Sequence, residues 1–411
     1  MIRKLFNQNK AFYIDVIYSI LASGVITITT TLIINPYIAK QFDASSYGLV
    51  LSLAALVTAV SAILGNTLNT VRLIENAKDD PNQHRLNYKV IILFSSIISM
   101  LIVALFNMIL YNASSITMIL LMIFALTATL KNYYVVVFRI KINTKKNLIM
   151  SILVSISYMT AFFVPWIHLL WPIIYILGEV ISLIFIKIYT EIPSEHLKLD
   201  YRFKFIMKAY FLIILSSIIA NVVLYLDRFL IYPILGPDYV TIYSISTIYS
   251  KMFSIILAPI SSLILSYISQ SAFKMTKKLY NIILYATLLA SIAFILTVPI
   301  FAPWLTKMLY PQFYNLSSTY LMIGAIGVMI GNISLILNPI VLRFVKTRWQ
   351  LYISLIYGTI YITLSIILMN LYGLSGFYVS VIISNTVRGI ILIILSRHSL
   401  KTNVDTTLST V

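Results

Sequence analysis

The stretch from Asp227 to Lys251 reads DRFLIYPILGPDYVTIYSISTIYSK. It places a charged pair, Asp227-Arg228, near the end of one long apolar run, turns through Pro233, Gly236 and Pro237, and enters a second apolar run with Lys251 near its middle. A lysine at the middle of a bilayer costs about 2.5–3.5 kcal/mol on insertion scales, so it normally faces a water-filled path or a partner. The stretch therefore predicts a helical membrane protein with a polar path through its interior.

Composition agrees. Of 411 residues, 60% are hydrophobic and 10% charged, and the mean hydropathy is +0.95. Such a chain is polytopic rather than soluble. A helical span needs roughly 20 mostly apolar residues, which the runs here supply, whereas barrel strands would be about 10 residues long and alternating. The formal charge of +18 is spread as short basic clusters between apolar runs, a topology signal that points away from nucleic acid. Without cysteine there is no disulfide framework or thiol site. His84, His168, His196 and His398 lie far apart, so no metal set is expected. No phosphate-binding loop occurs: Gly324, Gly327 and Gly331 sit inside an apolar run without the lysine and threonine such a loop needs, and fit close helix packing instead. No cofactor is implied, and an ion gradient (proton or sodium) or substrate mass action is left as the energy source.

Twelve spans are predicted, near 11–34, 48–70, 90–111, 115–138, 148–167, 171–189, 206–231, 239–267, 280–299, 317–342, 350–370 and 375–396. Lys and Arg test the count: 24 fall on one side of this arrangement, only Lys40 and Lys307 on the other, and Lys131, Arg228, Lys251 and Arg388 remain inside spans. That asymmetry predicts cytoplasmic N- and C-termini. The predicted outer connections are all short, so function belongs to the helices or the cytoplasmic loops. The longest cytoplasmic connection divides six spans from six, with lobes at 1–195 and 196–411. Ile34-Asn35-Pro36-Tyr37-Ile38 and Ile231-Tyr232-Pro233-Ile234-Leu235 echo each other across the halves, as in transporters built from structural repeats.

Polar residues inside the spans fall on stripes. Tyr243, Thr247, Lys251 and Ser254 share one face of the eighth span; Asn221 and Arg228 share one in the seventh; Ser384 and Arg388, with Asn385 alongside, mark the twelfth; Asn66, Asn69 and Arg72 step along the second. Together they are expected to line one cavity, in which Lys251, Arg228, Arg388, Lys131 and Arg72 attract an anionic headgroup and Asn221, Tyr243, Thr247 and Asn385 add polar and aromatic contacts. Glu179, Asp15 and Asp227 lie at membrane depth; each either couples transport to an ion or neutralises a neighbouring cation. For Asp15 and Asp227 pairing or interface placement is favoured.

Several segments resemble the Wzx-type lipid-linked oligosaccharide flippases, the O-antigen and polysaccharide exporters of the multidrug/oligosaccharidyl-lipid/polysaccharide superfamily. They are Asn35-Pro36 through Tyr47-Gly48, Asp227-Arg228-Phe229 through Tyr243-Ser244, Pro259 through Ser269, Met308-Leu309-Tyr310 through Phe313-Tyr314, and Tyr372-Gly373-Leu374-Ser375-Gly376. The chain departs from the pattern at Pro233, where a glycine is usual. The resemblance implies an all-α, MATE-like, V-shaped bundle of two six-helix lobes in the bacterial inner membrane. Its substrate would be an undecaprenyl-pyrophosphate-linked glycan, such as the repeat unit of O-antigen or lipopolysaccharide, and its partners membrane lipids with the polymerase and chain-length regulator of that pathway. Tyr225, Tyr243 and Tyr249 would stack on sugars.

Two readings compete. A multidrug or metabolite exporter of the related family commonly takes cationic substrates, which a cationic cavity would repel. A membrane-embedded glycan polymerase would present its catalytic residues on a sizeable outer loop, which this chain lacks. The reading is a transporter, not an enzyme.

Overall fold

The computed structural model describes residues 2–76, 85–141, 143–163, 167–189, 203–268, 275–345 and 348–408. Among them the chain is helical, with no strand, and ten segments are long and apolar enough to cross a membrane. A bent pair, Pro237–Ser246 with Ile248–Leu257, adds an eleventh. The last helix, Arg348–Leu408, turns back on itself at Gly373, whose φ of +59° is left-handed. Ser365 and Ser380, on either side of it, share a hydrogen bond of 2.7 Å, and Tyr361 stacks near Phe377. This hairpin resolves one segment into two spans, so the twelve predicted from hydropathy are present.

Local chemistry sets the ends. The Asp43, Ser114, Asn143 and Thr276 side chains accept the backbone N–H groups of Ser46, Thr117, Lys146 and Leu279, capping the starts of spans two, four, five and nine. Asp43 lies outside the spans, and the hydrogen bonding with Ser46 holds its carboxyl below the usual carboxylate range. Outward faces are apolar, as lipid requires: Leu296, Ile300 and Trp304 repeat every four residues along the ninth span and are more than 60% exposed.

The chain forms two compact units, Met1–Phe229 and Leu230–Val411. The expected boundary at 195/196 lies outside the described residues. The seventh span, Phe203–Leu224, packs within the first unit, and its reason is chemical. The second span carries a π-helical turn at Ala62–Asn66, where Leu64 O accepts the Thr67 N–H. The Tyr210 hydroxyl of span seven donates to the same Leu64 O at 2.9 Å, and bonds Ser95 of span three at 2.9 Å. Beside it, Gly65 is needed for close approach: a Cβ there would sit 2.6 Å from Thr129 O and 2.8 Å from Asn132 Cβ. Leu68, Val71, Tyr88, Ile91, Ile92, Tyr133, Ile206 and Tyr210 close the core around this junction.

In the second unit, Ile268, Tyr280, Leu284, Leu337, Ile340, Val341, Ile353 and Leu392 form the main apolar cluster. The three glycines of span ten do pack closely. A Cβ on Gly324 would lie 3.1 Å from the Thr247 methyl, on Gly327 3.2 Å from Val381, and on Gly331 3.1 Å from the Asn385 amide.

Candidate functional site

The polar residues inside the first unit are mostly partnered. Lys131, in the fourth span, and Glu179, in the sixth, meet with Nζ 3.3 Å from each carboxylate oxygen. Oε1 accepts the hydrogen bond, while Oε2 has ion-pair distance without hydrogen-bond geometry. Glu179 is 7% exposed, and its charge also acts on the buried Tyr158 hydroxyl. A second group gathers around Tyr175 in span six. Its hydroxyl donates to Asn35 Oδ1 at 3.1 Å, and its ring packs against Phe124, Tyr158 and Trp171 at 5.5–6.0 Å. The Arg228 guanidinium acts electrostatically on that hydroxyl and lies 6.0 Å over Tyr225. Its buried Nε donates to nothing among the described residues.

Asp227 is buried, and its Oδ1 accepts the backbone N–H of Arg228 at 3.0 Å. Asp15 accepts the Thr144 hydroxyl at 2.5 Å, joining the first span to the start of the fifth. The Asn221 amide turns back on its own helix, donating to Ser217 O at 2.9 Å and to its hydroxyl at 3.3 Å. Arg72 donates to the Tyr133 hydroxyl at 2.7 Å and lies 5.7 Å over Tyr88.

In the second unit the cations rest on aromatic rings. Lys251 Nζ lies 5.2 Å over Tyr243, and Arg388 Cζ lies 4.9 Å over Tyr357, the range in which a ring's negative face attracts a cation. Tyr243 is itself buried against Phe377 and Tyr378, with centroids 5.0 and 5.1 Å away. The continuous stripe expected along the eighth span is broken. Pro237–Ser246 and Ile248–Leu257 meet at 54° around Thr247. There the Tyr243 carbonyl receives the Thr247 N–H and the hydroxyls of both Ser246 and Thr247, a back-bonding pattern that bends helices. Ser246 also bonds the Tyr378 hydroxyl. Thr247 is 1% exposed, so it shapes the elbow rather than lining an open path.

Beyond the elbow, Ser254 donates to Asn332 at 2.8 Å. Asn385 is a clamp: its amide donates to Gly327 O at 3.0 Å while its carbonyl accepts the Tyr357 hydroxyl at 3.1 Å. That fixes the ring under Arg388. Tyr249 bonds Thr297 at 2.9 Å and stacks on Phe294, while Tyr225 lies beside Phe229. Tyr175, Tyr357, Tyr378, Asn332 and Arg139 were not singled out as site residues by the sequence, and Asn35 only as part of the repeated Ile34–Ile38 segment and of the segments that carry the resemblance. Most of them are polar groups whose partners lie on distant spans, and no local spacing marks them. His84 and His196 lie outside the described residues.

No model of a known protein family matches the sequence, nor does any curated protein. The fold does have solved relatives. A MATE transporter in a straight conformation superimposes with a TM-score of 0.67 over 96% of each chain, at 13% identity. An outward-facing multidrug resistance MATE family transporter of the MOP superfamily gives 0.67 over 94% of each chain, also at 13%. A MOP superfamily transporter from Pyrococcus furiosus, whose binding pocket is described as having reversed polarity, gives 0.62 over 94% of each chain at 13%. The chain therefore has the MATE-type fold of a multi-pass membrane protein.

Proposed function

We propose that this chain is an alternating-access transporter whose substrate carries a phosphate anion, a lipid-linked oligosaccharide moved across the bacterial cytoplasmic membrane. The observation that carries the reading is the second unit's charge. Lys251 and Arg388 are held on tyrosine faces inside apolar spans, and the only acids of 230–411 are Asp238 and Asp405, at the start of one helix and near the end of another. Desolvated cations of this kind favour an anion and disfavour a cationic drug. In the first unit Arg228, Lys131 and Arg72 are the cations the reading assigns to the substrate, with Asn221 near Arg228 in the sequence. In the second, Tyr243, Thr247 and Asn385 shape the surroundings of Lys251 and Arg388. Glu179, with Asp15 and Asp227, is the place for coupling to a proton or sodium gradient, because release of Lys131 would expose a carboxylate held in apolar surroundings. Undecaprenyl-pyrophosphate-linked glycan fits this chemistry, and a polymerase and chain-length regulator would receive it on the outer face.

A multidrug or metabolite exporter is the second reading, and the fold favours it, since two of the solved relatives are MATE transporters. Deletion of the gene in its host separates the two. In the flippase reading, intact lipid-linked units accumulate on the cytoplasmic face and expression of the chain releases them. Normal glycan export, with loss of resistance to small cationic compounds, would give the exporter. Units that reach the outer face but stay unjoined would give the polymerase.

A further inference from the structure

Arg139 enters none of the roles above, yet its partner Asn69 lies one helical turn before Arg72. The second span ends at Ile74, the third begins near Tyr88 and the fourth ends at Ile140, so Arg72, Tyr88, Tyr133 and Arg139 all lie at span ends on the side whose connections are richest in Lys and Arg. Arg72 Nη1 donates to the Tyr133 hydroxyl at 2.7 Å, and its guanidinium lies 5.5 Å from the Tyr133 ring centre and 5.7 Å from that of Tyr88. The two rings are stacked with centres 6.5 Å apart. Arg139 Nη1 donates to Asn69 Oδ1 at 3.1 Å, and the Asn69 amide is itself aimed by donation to Asn132 O at 3.0 Å. Asn69 is 2% exposed, whereas Arg139 is exposed.

These partners are neutral. Tyrosine and asparagine oxygens position the two guanidiniums without cancelling their charge, and each guanidinium has five N–H donors of which these contacts take one. Two oriented planar cations whose hydrogen-bond partners among the described residues are neutral, at the edge of the hydrocarbon layer, match the oxygens of a phosphate in bidentate fashion. A mere snorkelling arginine would not need a buried amide to aim it.

We infer that Arg72 and Arg139, positioned by Tyr133 and Asn69, form a phosphate-binding site at this end of the first unit, which takes the headgroup of an anionic membrane lipid. The phosphate could belong to a resident phospholipid or to the diphosphate of a prenyl carrier, and the site does not depend on what the chain transports.

The test uses the full chain, purified in neutral detergent after exposure to vesicles of phosphatidylglycerol or of phosphatidylcholine, with retained lipid counted by native mass spectrometry. Phosphatidylglycerol should be retained in preference. Arg139→Gln should weaken retention about fivefold, the scale for one basic residue near an anionic surface, while Lys40→Gln, an exposed cation near another span end, should leave it unchanged. Arg72→Lys should keep the charge but lose part of the affinity, because an ammonium cannot make the bidentate contact. Equal retention by Arg139→Gln and the unaltered chain would overturn the site. Geranyl diphosphate added as competitor then identifies the source: displacement marks the diphosphate carrier, and persistence of phosphatidylglycerol marks a resident phospholipid. A failed glycan-transport assay would leave these results standing, so the two proposals fail separately.

Discussion

The two units differ in where they keep acids inside apolar spans. In the first, a cation and an anion meet, Lys131 with Glu179 at 3.3 Å, and the Asp227 carboxylate accepts the Arg228 backbone N–H. In the second, Lys251 and Arg388 lie over tyrosines, and no acid occurs at membrane depth in that unit's sequence. A buried ion pair holds two helices together, whereas a ring face orients a cation. In the reading proposed above, the first unit's pair serves architecture and gating, and the second unit's cations serve anion capture.

The strongest way to break the comparison is to unbalance the first unit. Lys131→Met leaves Glu179 buried without its ammonium partner and should cost about 3–5 kcal/mol of stability, whereas the double change Lys131→Met with Glu179→Met should recover most of it. Thermal unfolding of the purified chain measures both. If the single change is as stable as the double, Glu179 is not held by Lys131. The next effect belongs to the second unit. Lys251→Glu should reduce transport about 10–100-fold at unchanged protein abundance, the equivalent of one lost charge-assisted contact of about 1.5–3 kcal/mol, and Lys251→Arg should retain most activity. Full transport by Lys251→Glu would remove that lysine from the substrate path.

A smaller effect tests where the first unit ends. Tyr210→Phe removes both hydroxyl contacts to Leu64 and Ser95. It should cost roughly 1 kcal/mol, since interhelical hydrogen bonds in membranes average about 0.6 kcal/mol each. It should also speed hydrogen exchange in Phe203–Leu224. Unchanged exchange would mean that the seventh span is held by its apolar contacts alone.

Much of this architecture could be read from the chain because it depends on local pattern. Hydropathy runs and the alternation of Lys and Arg located the spans, and the predicted gap between 370 and 375 holds Gly373, where the final hairpin turns. Glu179 was read as either coupling residue or static partner, and the geometry supplies that partner, Lys131, from 48 residues away. Other features had no local signature. Thr247 fits a helical stripe by spacing, but three donors converging on the Tyr243 carbonyl bend the helix there. Asn385 and Asn221 look alike in sequence, yet one clamps Gly327 of another span and the other turns back on its own helix. The docking of the seventh span sets Tyr210 against Leu64 in the π-turn at Ala62–Asn66, almost 150 residues earlier, a contact that no periodicity connects.

The smallest effect comes from an acid of the first unit that lies outside the membrane. Asp43 caps Ala44–Ser61, and its folded-state pKa is depressed, so its contribution is complete above the unfolded value and fades as pH falls through the folded one. Asp43→Ala should cost about 1 kcal/mol at neutral pH, and the difference from the unaltered chain should begin to shrink below about pH 4 and fade as pH falls through the lowered folded value, where the carboxylate is protonated. A difference that persists in acid would mean that the cap does not depend on charge.

The central claim, that the second unit's cations capture a phosphate-bearing lipid, is tested most directly by transfer across the membrane of proteoliposomes containing the full chain. A fluorescent prenyl-diphosphate-linked oligosaccharide would be compared with the same glycan on a neutral prenyl ether. Transfer of the diphosphate form alone, lost in Lys251→Glu, is the result expected here. Equal transfer of both forms, or transfer of cationic dyes in preference to either, would contradict it.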